Sequence, residues 1–145
     1  MNPYPDTGFL CSVYSNDANS SWALAEMQRI NSPMVLTWLH HLEFRNALRL
    51  RIFRNEISTK QRDASLELLL TDLASGVFMP ISPAFDSITV EAERLSAAHV
   101  EKLGTRSLDI LHVAMAIIVG TSEFITTDKR QASLARAAGI RVTNF

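Results

Sequence analysis

Four acids from separate parts of the chain, Asp6, Glu43, Asp109 and Asp128, have the side chains to hold a hard cation. Two carboxylates about 5 Å apart repel by roughly 3 kcal/mol at an effective dielectric near 20. Four gathered at one place are destabilising, or partly protonate, unless a cation sits among them. All-oxygen ligands favour Mg2+ or Mn2+ over zinc. Such an ion activates water and neutralises a phosphate in transit, the chemistry of metal-assisted phosphodiester hydrolysis. Each acid also has a plainer use. Asp6 could cap a following helix, Asp109 could complement a helix dipole, and Glu43 could be a solvated surface acid. Asp128-Lys-Arg-Gln131 reads as an N-cap with its capping-box partner.

The elements that must position these acids follow from hydrophobic runs and their breakers. The pattern predicts strands at 3–6, 34–37, 77–81, 123–126 and 140–143. It predicts helices at 8–14, 21–30, 38–55, 59–75, 84–103, 107–119 and 129–138. Strands alternating with helices argue for an α/β fold with helices flanking a parallel sheet. In such sheets ligands bind beyond the carboxyl ends of the strands. Asp6 ends the first strand, Asp128 follows the fourth, Glu43 lies in the early turns after the second, and Asp109 opens the helix 107–119. All four are expected at one rim. On a helical wheel Leu39, Leu42, Asn46, Leu50 and Phe53 form the expected core stripe of their helix, with Glu43 at its border and small Ala47 on its flank. Asn46 beside Glu43, and His112 one turn from Asp109, are candidates for orienting the acids. The weak element is the first strand, because Pro3 and Pro5 sit badly in a central strand.

The rest of the composition narrows the setting. The 145 residues suit one domain, 1–145, and a 47% hydrophobic content supports one packed core, which excludes disorder of the whole chain. The single Cys11 cannot form an intramolecular disulfide and reads as a buried apolar residue; no Cys/His cluster suggests structural zinc, and a reducing, cytoplasmic setting fits. Met-Asn-Pro-Tyr-Pro-Asp lacks a basic and apolar leader pattern, and the run Ile110–Val119 is too short to span a bilayer, so neither secretion nor membrane insertion is expected. His40 and His41 point about 100° apart on a helix, share a metal poorly, and are expected at or near the surface.

A net charge of −1 excludes coating nucleic acid by bulk electrostatics but not gripping it locally. Residues 45–62 carry Arg45, Arg49, Arg51, Arg54, Lys60 and Arg62 against Glu56 alone, a local +5. This is either a solvated face or a phosphate-binding one. Arg54 lies on Glu43's flank roughly 16 Å along the helix, too far to touch a reacting phosphate and suited to neighbouring ones. Arg51 and Arg54 are therefore candidate contacts, with Arg106 as a third near Asp109.

In four segments the chain resembles the PIN domain family of metal-dependent nucleases, nearest to the VapC-type toxins of bacterial toxin–antitoxin pairs. They are Asp6-Thr7-Gly8-Phe9-Leu10, Glu43-Phe-Arg-Asn-Ala-Leu48, Arg106-Ser-Leu-Asp109-Ile-Leu-His112-Val-Ala114, and Phe124-Ile-Thr-Thr-Asp128-Lys-Arg-Gln. The resemblance implies sheet order 3-2-1-4-5, with the switch point between the first and fourth strands, where Asp6 and Asp128 emerge. It implies that Asp6, Glu43, Asp109 and Asp128 hold Mg2+ or Mn2+, and that Thr7 and Thr126 orient water or carboxylates. It also implies an RNA substrate, cleavage by metal-activated water, a cognate antitoxin and a homodimer. Pro3 and Pro5 depart from the family, which has an uninterrupted apolar run at the first strand.

Two other classes fit parts of this pattern. A receiver-like phosphorylation module also gathers acids at a sheet rim, but it needs an Asp after the third strand, where this chain has Ser82-Pro83. A non-catalytic RNA- or protein-binding domain with a vestigial site differs from the nuclease only in its response to metal.

Overall fold

The computed structural model describes every residue, 1–145. Five short strands are β1 (Tyr4–Pro5), β2 (Met34–Leu36), β3 (Phe78–Pro80), β4 (Phe124–Thr126) and β5 (Val142–Asn144). Helices α1 (Thr7–Tyr14) and α2 (Ser20–Arg29) separate β1 from β2, and α3 (Trp38–Phe53) and α4 (Thr59–Ala74) separate β2 from β3. Next, α5 (Phe85–Leu95) runs through a π-helical turn at Ser96–Val100 into α6 (Glu101–Leu103), followed by α7 (Ser107–Val119). Last, α8 (Lys129–Ala137) connects β4 to β5. Every strand pair is parallel, as the α/β expectation requires.

The sheet departs from the expected continuous ladder. Its hydrogen bonds form two groups, β1-β4-β5 and β2-β3, and the seam between them is the edge of β1 that faces β2. The Tyr4 and Asp6 N–H groups face β4 and donate to the carbonyls of Glu123 and Ile125, both at 2.8 Å. Alternation turns residues 3 and 5 the other way, and both are prolines. The Pro3 carbonyl still accepts from Val35 N–H at 2.9 Å, but Pro5 has no N–H to return to β2. The prolines are tolerated because both fall on one edge. The strands therefore keep the spatial order 3-2-1-4-5 with a single backbone bond across the seam.

At the next rung of the seam His40 bridges the two strands. The Thr37 N–H donates to His40 Nδ1 at 2.9 Å, and His40 Nε2 donates to the Pro5 carbonyl at 2.7 Å. An imidazole thus stands where a ladder bond is missing. Expected near the surface, His40 is instead fully buried. Burial and the neighbouring His112 push its pKa well below the usual histidine range.

That anchor also corrects the predicted face of α3. Leu39, His40, Phe44 and Leu48 point inward, whereas Asn46 is exposed, Leu42 is 57% exposed and Phe53 is 82% exposed. Holding His40 against Pro5 rotates the helix by about one residue step from the wheel's choice. Side chains of the sheet alternate between two apolar layers. Met34 and Leu36 join Phe9, Phe44, Leu48, Leu69 and Phe78 on one side, while Val35 joins Tyr4, Ile88, Val113 and Phe124 on the other. In α7, Ile110, Val113, Ala114, Met115 and Ala116 are all buried. No helix is long and apolar enough to cross a membrane.

Candidate active site

The rim at the strands' carboxyl ends holds a polar cleft of about 250 Å3, lined by Asp6, Thr7, Gly8, Glu43, Asp109, His112, Thr127, Asp128 and Gln131. None of these is an apolar side chain. All four predicted acids line it, and so do Thr7 and His112. Asn46 does not, because α3 turns it to solvent. Thr126 sits just beneath, fully buried, and touches two of the acids.

Each carboxylate is held by a separate device. Asp6, at the end of β1, caps α1: its Oδ1 accepts from Phe9 N–H at 2.7 Å, and its Oδ2 accepts from the Thr126 hydroxyl. Burial pushes Asp6 up to about 6, despite the Thr126 and Phe9 hydrogen bonds that favour its charged form; nearby Asp128 adds to the rise. Glu43 Oε1 accepts from the Thr7 hydroxyl at 2.8 Å and from His112 Nε2. Burial raises Glu43, but the hydrogen bonds from His112 and the Thr7 hydroxyl outweigh it, holding this carboxyl below the ordinary range. Asp109, half-buried, is raised by burial and then by the charge of Asp128. Its Oδ1 accepts from Gln131 Nε2 at 3.3 Å.

Asp128 is exposed and serves as the predicted N-cap, with Oδ1 accepting from the N–H groups of Arg130 (2.8 Å) and Gln131 (3.1 Å). The expected capping box does not close. Gln131 reaches Asp109 instead, and the Asp128 N–H donates to Thr126 Oγ1 at 2.8 Å. Gly8 and Thr127 fall within the family-like segments but were not expected as site residues. Gly8 sets how closely α1 approaches the loop after β4: a Cβ there would stand 3.1 Å from Thr127 Oγ1 and 3.5 Å from Asp6 Oδ1. A glycine in a helix's first turn, where Ala is favoured, was the available signal.

One oxygen on each of three acids, Glu43 Oε2, Asp109 Oδ2 and Asp128 Oδ2, has no protein hydrogen bond. No three Asp, Glu, His or Cys side chains converge closely enough to grip one ion directly. A spread set of free carboxylate oxygens fits a small, hard cation that keeps several waters, as Mg2+ does, better than an ion requiring a protein cage. The raised acids fit the same reading, since a nearby positive charge would relieve both.

Beside the cleft, and sharing Asp109 and Asp128 with it, a second hollow of about 420 Å3 is walled by Arg106, Lys129 and Arg130. Arg106 was expected there; Lys129 and Arg130 were not. Along α3, Arg51 is engaged. It donates to the Ser15 hydroxyl, to the Asn16 carbonyl at 3.2 Å and to Glu56 at 3.1 Å. Arg62 is paired with Asp63 at 2.8 Å, so the +5 patch is weaker than its sequence count. Arg54 is exposed, beside a hollow of about 340 Å3 that includes Cys11, Ala47 and Arg51.

The chain belongs to the PIN domain family, whose model matches residues 4–137. Among curated proteins none matches it by sequence. Its fold is similar to FitAcB from Neisseria gonorrhoeae, at TM-score 0.69 and 16% identity over 98% of this chain and 96% of that one. It is also similar to VapBC2 from Rickettsia felis, a structure bound to a DNA fragment from their promoter, at TM-score 0.70 and 14% identity over 100% and 99% of the two chains. VapBC-1 from nontypeable Haemophilus influenzae aligns at TM-score 0.63 and 14% identity, covering 99% and 98%.

Proposed function

We propose that this PIN domain is a Mg2+- or Mn2+-dependent endoribonuclease and the toxin of a toxin–antitoxin pair. The observation that carries the nuclease reading is the cleft itself. Three carboxylates, each fixed through one oxygen, leave the other oxygen free around a pocket with no apolar lining. Glu43, Asp109 and Asp128 would hold the ion, with Asp6 supplying charge from below. A bound divalent ion neutralises phosphate charge and makes water a better nucleophile at neutral pH.

The chain's own groups do the positioning. Thr7 and His112 keep Glu43 ionised and oriented, leaving Oε2 to orient an attacking water. The N-termini of α1 and α8 fix Asp6 and Asp128. Arg106, Lys129 and Arg130 stand where phosphates flanking the scissile one would lie. On the other side, Thr7 meets Glu43 and Ser15 meets Arg51, so the seam between α1 and α3 leads from the acids toward Arg54. RNA as the substrate follows from the family resemblance.

The toxin reading adds protein partners, an antitoxin and a second copy. Three residues of the α3 stripe first expected in the core support it: Leu42, Leu50 and Phe53 are 57%, 41% and 82% exposed and, with Trp38 at 46%, form apolar surface suited to a protein partner. The reading places the protein in the cytoplasm. A second reading, a non-catalytic binding domain, draws on the lack of three convergent donors. One experiment separates them: RNA cleavage and thermal unfolding with EDTA, Mg2+ or Mn2+. The nuclease reading expects metal-dependent cleavage and a raised Tm. Neither effect at millimolar metal would leave the binding domain.

A further inference from the structure

We propose that Tyr4 is a positioning residue for the acid cleft, acting through His112 to hold Glu43; this rests on the metal-site reading above. Tyr4 and His112 are 0% and 1% exposed; His112 lines the cleft floor, and Tyr4 lies beneath it. The Tyr4 hydroxyl is 2.8 Å from His112 Nδ1. On the other side of the ring, Nε2 contacts Glu43 Oε1 and lies 3.3 Å from the Thr7 hydroxyl. A carboxylate oxygen only accepts, so the proton facing it must sit on Nε2. In the neutral ring Nδ1 is then left to accept, and the Tyr4 O–H is the group that donates to it.

Tyr4 is a dependable donor. Its ring cannot turn away, because it stacks on Phe124 at 5.5 Å with an interplanar angle of 9°. Beside it, His40 is locked between Thr37 and Pro5, with its ring 4.9 Å from Tyr4 and 4.8 Å from His112. The order of control runs from a rigid hydroxyl to a tautomer, and from the tautomer to a carboxylate. Without the hydroxyl, His112 can move its proton to Nδ1, and the bare Nε2 would then repel Glu43 Oε1. Glu43 would lose the partner that leaves Oε2 free for an ion.

The pair of variants Tyr4→Phe and His112→Gln tests this. Tyr4→Phe deletes only the hydroxyl and keeps the stack. His112→Gln keeps an N–H donor toward Glu43 and has no tautomer to choose. Two readouts are taken on the apo protein and its Mn2+ titration: 15N shifts of the His112 ring, and Mn2+ affinity by calorimetry. In wild type the ring nitrogens should report the proton on Nε2, and Tyr4→Phe should shift them toward a mixture. Mn2+ affinity should fall about tenfold in Tyr4→Phe, the usual scale for a group that orients a ligand. In the His112→Gln background, adding Tyr4→Phe should change affinity little.

Unchanged ring shifts in Tyr4→Phe would overturn the proposal. So would an equal loss of affinity in both backgrounds, which would mean that Tyr4 acts through packing. Should the wild type bind no Mn2+ at all, the metal-site reading fails, and the ring shifts alone still decide whether Tyr4 sets the His112 tautomer.

Discussion

The Thr126 hydroxyl donates to Asp6 Oδ2 from 120 residues away, and its oxygen accepts the Asp128 N–H at 2.8 Å. One buried threonine at the end of β4 therefore ties the two acids of the switch point into a single unit. Asp6 still stays near a pKa of about 6, so its burial outweighs the two hydrogen bonds made to its charged form.

That shift has a definite sign. An Asp raised from 3.8 to about 6 keeps its proton in the folded chain at pH values where the unfolded chain has released it. Stability from this group is therefore present at low pH and is lost as pH rises through about 4 to 6, a total of about 3 kcal/mol. Asp109 adds in the same direction, whereas Glu43, held low, contributes stability that disappears only below its ordinary range. Between pH 7 and pH 5 the Asp6 contribution to the metal-free protein should gain about 1 kcal/mol, or about 2–4 °C in Tm, while buried neutral His40, which protonates only on unfolding, pulls the other way. Asp6→Asn should remove most of that slope. Identical pH dependence of Tm in wild type and Asp6→Asn between pH 7 and pH 5 would contradict the assignment.

Gly8→Ala separates helix propensity from site geometry. Alanine is worth about 1 kcal/mol over glycine within a helix, and here the new Cβ would stand 3.1 Å from the Thr127 hydroxyl. That side chain can turn aside, so apo stability should hold or rise slightly. The cleft, however, loses space between Asp6 and Thr127, and metal affinity and cleavage should fall severalfold. Parallel melting and metal titration of the variant check both halves; full affinity would show that the cleft tolerates a methyl group there.

The strand–helix order and the four acids were legible because each depends on local pattern: apolar runs, breakers, and acids just beyond strand ends. What was not legible depends on partners distant in sequence. Nothing near residue 40 says that its imidazole bridges the Thr37 N–H and the carbonyl of Pro5, 35 residues away. That contact fixed the rotation of α3, and so it decided that Phe44 rather than Leu42 is buried. Gln131 looked like a local capping partner because spacing suggests one, yet its side chain reaches Asp109 from another helix. Arg51 counted as free charge only until the α1–α2 loop supplied its acceptors.

Arg51 and Arg54 should accordingly differ. Arg51→Ala removes hydrogen bonds to Ser15, Asn16 and Glu56, and should cost about 1–2 kcal/mol of stability. Arg54→Ala should leave stability within about 0.5 kcal/mol and lower the salt slope of RNA binding by about one unit. Denaturant unfolding and RNA binding over a range of salt measure the two effects. An unchanged slope for Arg54→Ala would make that arginine part of a solvated face.

Asp109→Asn tests whether this acid serves the fold or the cleft. The asparagine keeps the shape and can still accept from Gln131 Nε2, but it removes one negative charge beside Asp128. Were Asp109 simply a partner for the helix dipole, the change would cost at most about 1 kcal/mol and leave cleavage intact. The raised pKa points the other way: at neutral pH the folded protein bears an unfavourable charge here, mainly through burial and then through Asp128. Apo stability at pH 7 should therefore hold or rise. Metal affinity and RNA cleavage should fall sharply, because one of the three free carboxylate oxygens loses its charge. The decisive comparison is thermal unfolding without metal beside metal-dependent RNA cleavage, for wild type and this variant. An apo protein clearly destabilised by Asp109→Asn, yet cleaving normally once folded, would make Asp109 a structural residue and remove the central acid from the proposed site.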